Sequence, residues 1–322
     1  MSDRSYLDFE QPLAELEEKI AALQERAKAE GLDVTDAIDV LEKRREKLER
    51  DIFRNLTRWQ KYQLSRHPQR PYSLDYIDRI TSDFIELHGD RCSGNDQAIV
   101  GGLAYFEGQP IVVIGQQKGR NTSENLKRNF GLPHPEGYRK ALRLMQLAAK
   151  FGRPVLCMVD TPGAFPGLAS EQRSISEAIA RNLLEMARLP VPIVVAIIGE
   201  GASGGALGIG VGDQILMLEN AWYSVINPES CSLILWRNRD KRTEAAEAMK
   251  IAAEDLLDLG VIDCIVPEPY GGAHRDFDLA AQNLKKAVSD ALVEIVKIPV
   301  ENLSKLRVEK FNRMGIWEES HR

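Results

Sequence analysis

Ile193-Val194-Val195-Ala196-Ile197-Ile198-Gly199-Glu200-Gly201-Ala202-Ser203-Gly204-Gly205-Ala206-Leu207-Gly208 runs from six consecutive apolar residues into a glycine-punctuated turn. An unbroken apolar run of this length, rich in β-branched side chains, predicts a strand over 193–198 that is buried on both faces. Such strands belong to parallel sheets covered by helices. The turn opens a predicted helix at Ala206. First-turn N–H groups of a helix lack intrahelical partners and lie at the positive end of its dipole. Glycines at 204 and 205 let a ligand approach the backbone, so the stretch reads as an oxyanion site built from peptide N–H groups. The same glycines also suit close packing of helix on strand with no ligand.

The arrangement recurs upstream. Val155-Leu156-Cys157-Met158-Val159 is a second apolar strand, and Asp160-Thr161-Pro162-Gly163-Ala164-Phe165-Pro166-Gly167 follows it. Parallel sheets gather ligands at the carboxyl ends of their strands, so both turns are expected on one face. Asp160 is expected to orient its loop by accepting N–H bonds from it. Residues 101–106 and 110–115 flank Glu107-Gly108-Gln109 and read as a β-hairpin. Helices are predicted over 135–151, 170–189, 243–253 and 276–296, with further strands at 214–218 and 222–226.

The N-terminal segment differs. Leu13, Leu16, Ile20, Leu23 and Ala27 step by three and four, and Gly31 supplies a stop. From Thr35 as N-cap, Val34, Ile38, Leu41, Leu48, Ile52, Trp59 and Tyr62 keep that spacing until His67-Pro68. Residues 1–70 are therefore expected to form a helical hairpin packed on its own protein, and residues 71–322 an α/β domain.

The 322 residues carry a net charge of -6 and 43% hydrophobic residues, enough for a sizeable core and unlike a general nucleic-acid binder. Residues 1–11 show no basic stretch leading into an apolar one, and no apolar run is long enough to span a bilayer as a helix. A soluble, cytoplasmic protein is expected. Cys92, Cys157, Cys231 and Cys264 are scattered without a Cys-x-x-Cys pair, so they read as reduced thiols and no metal is expected on this chain. Lys118, Arg120, Lys127, Arg128, Arg139, Lys140 and Arg143 form a basic cluster that either steers an anion or is solvated surface. Lys118 and Arg120 are its site candidates because they close a strand. His134, between two prolines, reads as a loop residue.

A rival reading comes from Gly201-Ala202-Ser203-Gly204-Gly205, which satisfies the Gly-x-Ser-x-Gly pattern of a serine-hydrolase elbow and has a strand before it and a helix after. Ser203 would be the nucleophile. The acid would come from Asp255, Asp258 or Asp263, and the base from His274 or His321.

Taken together, the motifs resemble the crotonase-like superfamily, and within it the alpha-subunit family of the acetyl-CoA carboxylase carboxyltransferase of bacteria and plastids. The resemblance covers nearly the whole chain. It rests on Gly115-Gln116-Gln117-Lys118-Gly119, the 160–167 and 199–206 turns, Tyr223-Ser224-Val225-Ile226-Asn227-Pro228-Glu229 and Leu257-Asp258-Leu259-Gly260-Val261-Ile262-Asp263. It implies a crotonase-like fold of repeated ββα units behind the helical hairpin. It also implies transfer of a carboxyl group from carboxybiotin, borne on a separate carrier protein, to acetyl-CoA, giving malonyl-CoA for fatty acid synthesis. Gly204 and Gly205 are then the N–H donors to the biotin ureido oxygen, and no protein base is required. Gly163, Ala164 and Phe165, with Lys118 and Arg120, are the candidate substrate-binding residues. The implied partners are a beta subunit in an alpha2beta2 assembly, the biotin carboxyl carrier protein and biotin carboxylase. Zinc is expected only on beta, in a four-cysteine ribbon. Fixed N–H donors suit charge that develops during reaction, and losing one typically costs about 3 kcal/mol in barrier.

Overall fold

The computed structural model describes residues 5–315. Helices α1 (Gln11–Glu30) and α2 (Thr35–Phe53) lie against each other, with Gly31 in the left-handed conformation as the C-cap of α1. The second predicted helix does not continue to His67. It breaks after Phe53 and restarts as α3 (Arg58–Ser65), because the Thr57 hydroxyl accepts the Gln60 N–H while the Gln60 side chain accepts the Thr57 N–H. The break lets α3 turn onto the sheet, where Tyr62 is buried against Trp222.

Next come α4 (Ser73–Ile80), β1 (Ser82–Glu86), β2 (Ile99–Phe106) and β3 (Gln109–Gln116). Then follow α5 (Thr122–Lys127), α6 (Pro135–Phe151), β4 (Val155–Thr161), α7 (Leu168–Gln172), α8 (Ile175–Arg188), β5 (Ile193–Ala202) and α9 (Ser203–Leu207). The chain continues through β6 (Gln214–Leu218), β7 (Trp222–Ser224), α10 (Pro228–Trp236), α11 (Arg242–Met249), α12 (Ala253–Asp258), β8 (Cys264–Val266), α13 (Phe277–Val296) and α14 (Val300–Asn312). The expected hairpin is β2–β3. Phe106 pairs with Gln109, and Glu107 and Gly108 both have positive φ, as a tight two-residue turn matched to strand twist requires.

One sheet runs in the order β1-β2-β3-β4-β5-β6-β8, antiparallel from β1 to β3 and parallel from β3 onward. Every residue of β4 and β5 is buried, so both faces of these strands are covered as the apolar runs demand. Each Val, Ile or Leu so enclosed contributes about 1.5–3 kcal/mol. Strand β5 outlasts its apolar run. Its first half pairs with β6, and Glu200, Gly201 and Ala202 pair with β7. Gly199 and Gly201 stay in the strand because Asp160 and Tyr223 press against positions where a Cβ would stand. The following helix accordingly starts at Ser203, earlier than the expected Ala206.

The predicted 170–189 helix divides into α7 and α8 around left-handed Ser174. The 243–253 helix stops at Met249, the end of α11, where Lys250 turns left-handed, and α12 is a separate helix beginning at Ala253. Among the described residues, no helix is long and apolar enough to cross a membrane.

Candidate active site

The parallel strands β3, β4 and β5 are neighbours and deliver their carboxyl ends to one side of the sheet. There the two glycine turns meet. A Cβ on Gly205 would stand 2.4 Å from the Gly163 carbonyl carbon and 2.5 Å from the Ala164 nitrogen, so the backbones are in direct contact. The Gly205 carbonyl accepts from Gln116 Nε2 at 2.7 Å and from the Tyr138 hydroxyl at 3.0 Å. Gln116 Oε1 in turn accepts the Asp160 N–H. This buried glutamine therefore joins the end of β3 to β4 and to helix α9 after β5, and in the sequence it stands as a polar residue closing an apolar run within the 115–119 motif.

The 161–167 loop is fixed from within. The Thr161 hydroxyl lies 2.6 Å from the Gly131 carbonyl and 2.7 Å from that of Gly163, and it accepts the Gly163 N–H. Thr161, and not Asp160, is thus the residue that receives the loop's own N–H. Asp160 instead accepts the N–H of Glu200 on the neighbouring strand at 2.9 Å. The Phe165 N–H is bonded to the Pro133 carbonyl, and the Phe165 ring leans on His134, which is held by Ser170. With the Gly163 and Phe165 amides committed, Ala164 is the loop amide beside Gly205.

Helix α9 begins at a sharp strand-to-helix turn with Ser203 at φ 55°, and Ala202 at its N-cap provides no side-chain acceptor. Gly204 is open, a Cβ there reaching only Ile179 at 3.8 Å. It borders a largely apolar cleft of about 370 Å³ shared with Ser203, Leu207, Tyr223, Val225 and Met249. A first helical turn of uncapped amides beside an apolar cleft can stabilise an oxyanion on a flat apolar group.

The basic candidates are engaged by the protein's own groups. The Lys118 ammonium is enclosed between Asp160 Oδ1 at 2.6 Å and Glu200 Oε2 at 2.8 Å. Arg120 stacks on Tyr72 and binds Asp75 and the Arg70 carbonyl at the start of α4. Arg128, Lys140 and Arg143 donate to main-chain carbonyls between residues 87 and 97, and Arg139 to Asp90. These side chains hold the long connection between β1 and β2. Glu200 was not foreseen by sequence reasoning, since the topology alone brings it to Lys118.

The hydrolase constellation is not assembled among the described residues. Asp255 is bound to Arg58, and Asp263 accepts the Ile215 N–H and pairs with Lys310. His274 stacks on His67 with ring centroids 3.8 Å apart, near Glu10, while His321 lies outside the described residues. Glu10, His67 and His274 bring ligand-type atoms within 4.8 Å of one another. Glu10 is already bound by Arg275 and the Leu7 N–H, and His67 Nε2 meets the Ser5 carbonyl at 2.9 Å, so these groups are engaged within the protein.

Solved structures share this fold. The chain superposes on transcarboxylase 12S with a TM-score of 0.58 at 17% identity, covering 71% of this chain and 42% of that one. Against a chain of a Pseudomonas malonate decarboxylase hetero-tetramer in complex with coenzyme A, the TM-score is 0.60 at 16% identity, covering 74% and 93%. The likeness to these structures is one of fold, a crotonase-like α/β fold. Residues 6–315 match the family model described as acetyl co-enzyme A carboxylase carboxyltransferase-like. The acetyl-coenzyme A carboxylase carboxyl transferase subunit alpha of Chlorobium luteolum is 54% identical over 333 residues, covering 99% of each chain. The chain belongs to this alpha-subunit family.

Proposed function

We propose that this chain provides the carboxybiotin-facing half of an acetyl-CoA carboxyltransferase and works in a cytoplasmic alpha2beta2 assembly with a zinc-bearing beta subunit. Carboxybiotin would arrive on a carrier protein after loading by biotin carboxylase, and its role is to supply an activated carboxyl group. The amides of Gly204 and Gly205 stabilise the negative charge left on the ureido oxygen. Gly163, Ala164 and Phe165, in the loop packed on Gly205, are the substrate-binding residues of this reading. The acetyl thioester is held by the partner, and malonyl-CoA is the product.

The observation that carries this reading is that Gly204, in the uncapped first turn of α9, borders the apolar cleft while Gly205 beside it packs on Gly163 and Ala164. Low dielectric there strengthens each bond to a developing charge. Lys118, bound to two carboxylates, supports the turns. Arg120, packed on Tyr72, is likewise a supporting residue.

The test mixes the purified chain with its partner subunit and assays malonyl-CoA from acetyl-CoA and carboxybiotin. Little product is expected from either subunit alone and robust product from the mixture. Robust formation by the isolated chain, or full activity of the partner without it, overturns the reading. A fluorophosphonate probe should leave Ser203 unlabelled in active protein, and labelling would restore the hydrolase.

A further inference from the structure

We infer that Lys118 is a positioning residue, whose ammonium clamps the bases of both glycine turns to the end of β3 and so keeps the Gly204–Gly205 amides in register with the 161–167 loop. This role rests on the functional reading above. Lys118 follows β3 by two residues, Asp160 immediately precedes the Thr161 turn, and Glu200 lies three residues before Ser203. One buried cation thus touches a carboxylate at the end of each neighbouring strand.

The surroundings are shaped for it. A Cβ on Gly199 would stand 2.5 Å from Asp160 Oδ1, so this glycine makes room for the carboxylate. A Cβ on Gly131 would stand 2.7 Å from Lys118 Cγ, so that glycine makes room for the lysine stem. Arg66, at the C-cap of α3, binds Glu200 at 3.2 Å and Glu229 at 3.0 Å, and Glu229 also accepts the Tyr62 hydroxyl. Lys118 and Arg66 thus face three carboxylates, Asp160, Glu200 and Glu229, and Arg70, paired with Glu268, also acts on Asp160. Burial disfavours the ammonium, but the two carboxylates outweigh it and hold Lys118 above the usual lysine range. Burial also pushes the Asp160 carboxyl upward, with Lys118 opposing.

Lys118→Met in the complete alpha–beta complex leaves Asp160 and Glu200 as buried neighbours whose remaining cations, Arg66 and Arg70, are shared with Glu229 and Glu268, and they separate unless one takes a proton. The expected result is a fall in kcat of about 100-fold, the scale of a 1 Å misplacement, with the KM for acetyl-CoA unchanged. Amide hydrogen exchange should rise in both the 161–167 and 199–207 segments. The variant should also regain activity as the pH is lowered from 8 to 6, a dependence that general loosening does not produce. Lys118→Met/Asp160→Asn, which removes the uncompensated charge, should recover about tenfold of the loss and carries the test if the single variant does not fold. Unchanged exchange in both segments overturns the clamp. Faster exchange with wild-type kcat shows the clamp to be present but the turns to be dispensable, which overturns the positioning role through the functional reading on which it rests.

Discussion

Gly205 and Ala164 touch main chain to main chain, the Ala164 nitrogen lying 2.5 Å from the point where a Gly205 Cβ would be built. Neither backbone can yield cheaply, because Gln116 and Tyr138 hold the Gly205 carbonyl and Thr161 holds the neighbouring Gly163. Gly205→Ala is therefore expected to cost about 1–3 kcal/mol in urea unfolding and to lower kcat at least tenfold. Gly204→Ala, whose Cβ would meet only Ile179 at 3.8 Å, should unfold like the wild type. Gly204→Val should keep the fold yet intrude on the cleft and lower kcat by about 100-fold. Valine at 204 with wild-type turnover would show that nothing reacts at that face.

Much of this was legible from local chemistry. Pro135 at the first turn and left-handed Gly152 past the end bound α6 where expected, and Glu107-Gly108 gave the hairpin. Both glycine turns lie on one side of the sheet, because β4 and β5 are parallel neighbours. The unforeseen helix breaks at Ser174 and Lys250 occur at left-handed residues other than glycine, where tertiary packing overrides propensity and leaves no local mark. Strands β1 and β8 are too short to establish a period. The bonds joining Gln116, Lys118, Asp160 and Glu200 depend on strand order, which a linear pattern does not contain.

Arg70 and Glu268 form an ion pair with side chains 1% and 0% exposed. Arg70 Nε also donates to the Ile198 carbonyl at 2.8 Å, and Glu268 accepts the N–H groups of Asn220 and Ala273. The pair ties the segment after α3 to the sheet. Arg70→Met leaves a buried carboxylate without its cation, so unfolding free energy should fall by about 3–5 kcal/mol. Replacing both, as Arg70→Met/Glu268→Gln, should recover part of that loss. A single variant as stable as the wild type in urea would contradict this.

Burial lowers the Lys140 ammonium from its ordinary 10.5 to about 8, although it donates to Asn95 and the Asp96 carbonyl. Between those values the unfolded chain binds more protons than the folded one, so this group makes stability rise with pH across that window. The folded state bears the full cost of the charge below about pH 8 and loses it as the lysine deprotonates. Relative to Lys140→Met, the wild type should gain about 2 kcal/mol of unfolding free energy between pH 8 and pH 10. Parallel pH dependences of the two proteins would rule this out.

Helix α10 turns an apolar run outward beside the cleft. Asn227 caps it by accepting the Ser230 N–H, Pro228 opens it, and left-handed Arg237 closes it. Ile234 is 70% exposed, Leu235 62% and Trp236 43%, and Val225, which lines the cleft, is 77% exposed. Single exposed apolar residues are ordinary, but a continuous run is not, and under the proposed function it is the expected docking surface for the partner subunit. Ile234→Lys/Leu235→Lys should leave the melting temperature within about 2 °C, since neither side chain supports the core. The same pair should weaken binding of the partner subunit at least 100-fold, because buried apolar anchors of an interface each carry about 2 kcal/mol or more. Malonyl-CoA formation should fall at limiting partner and recover as the partner is raised, which separates docking from chemistry. Sedimentation that shows wild-type association of the charged variant would assign the partner to another face.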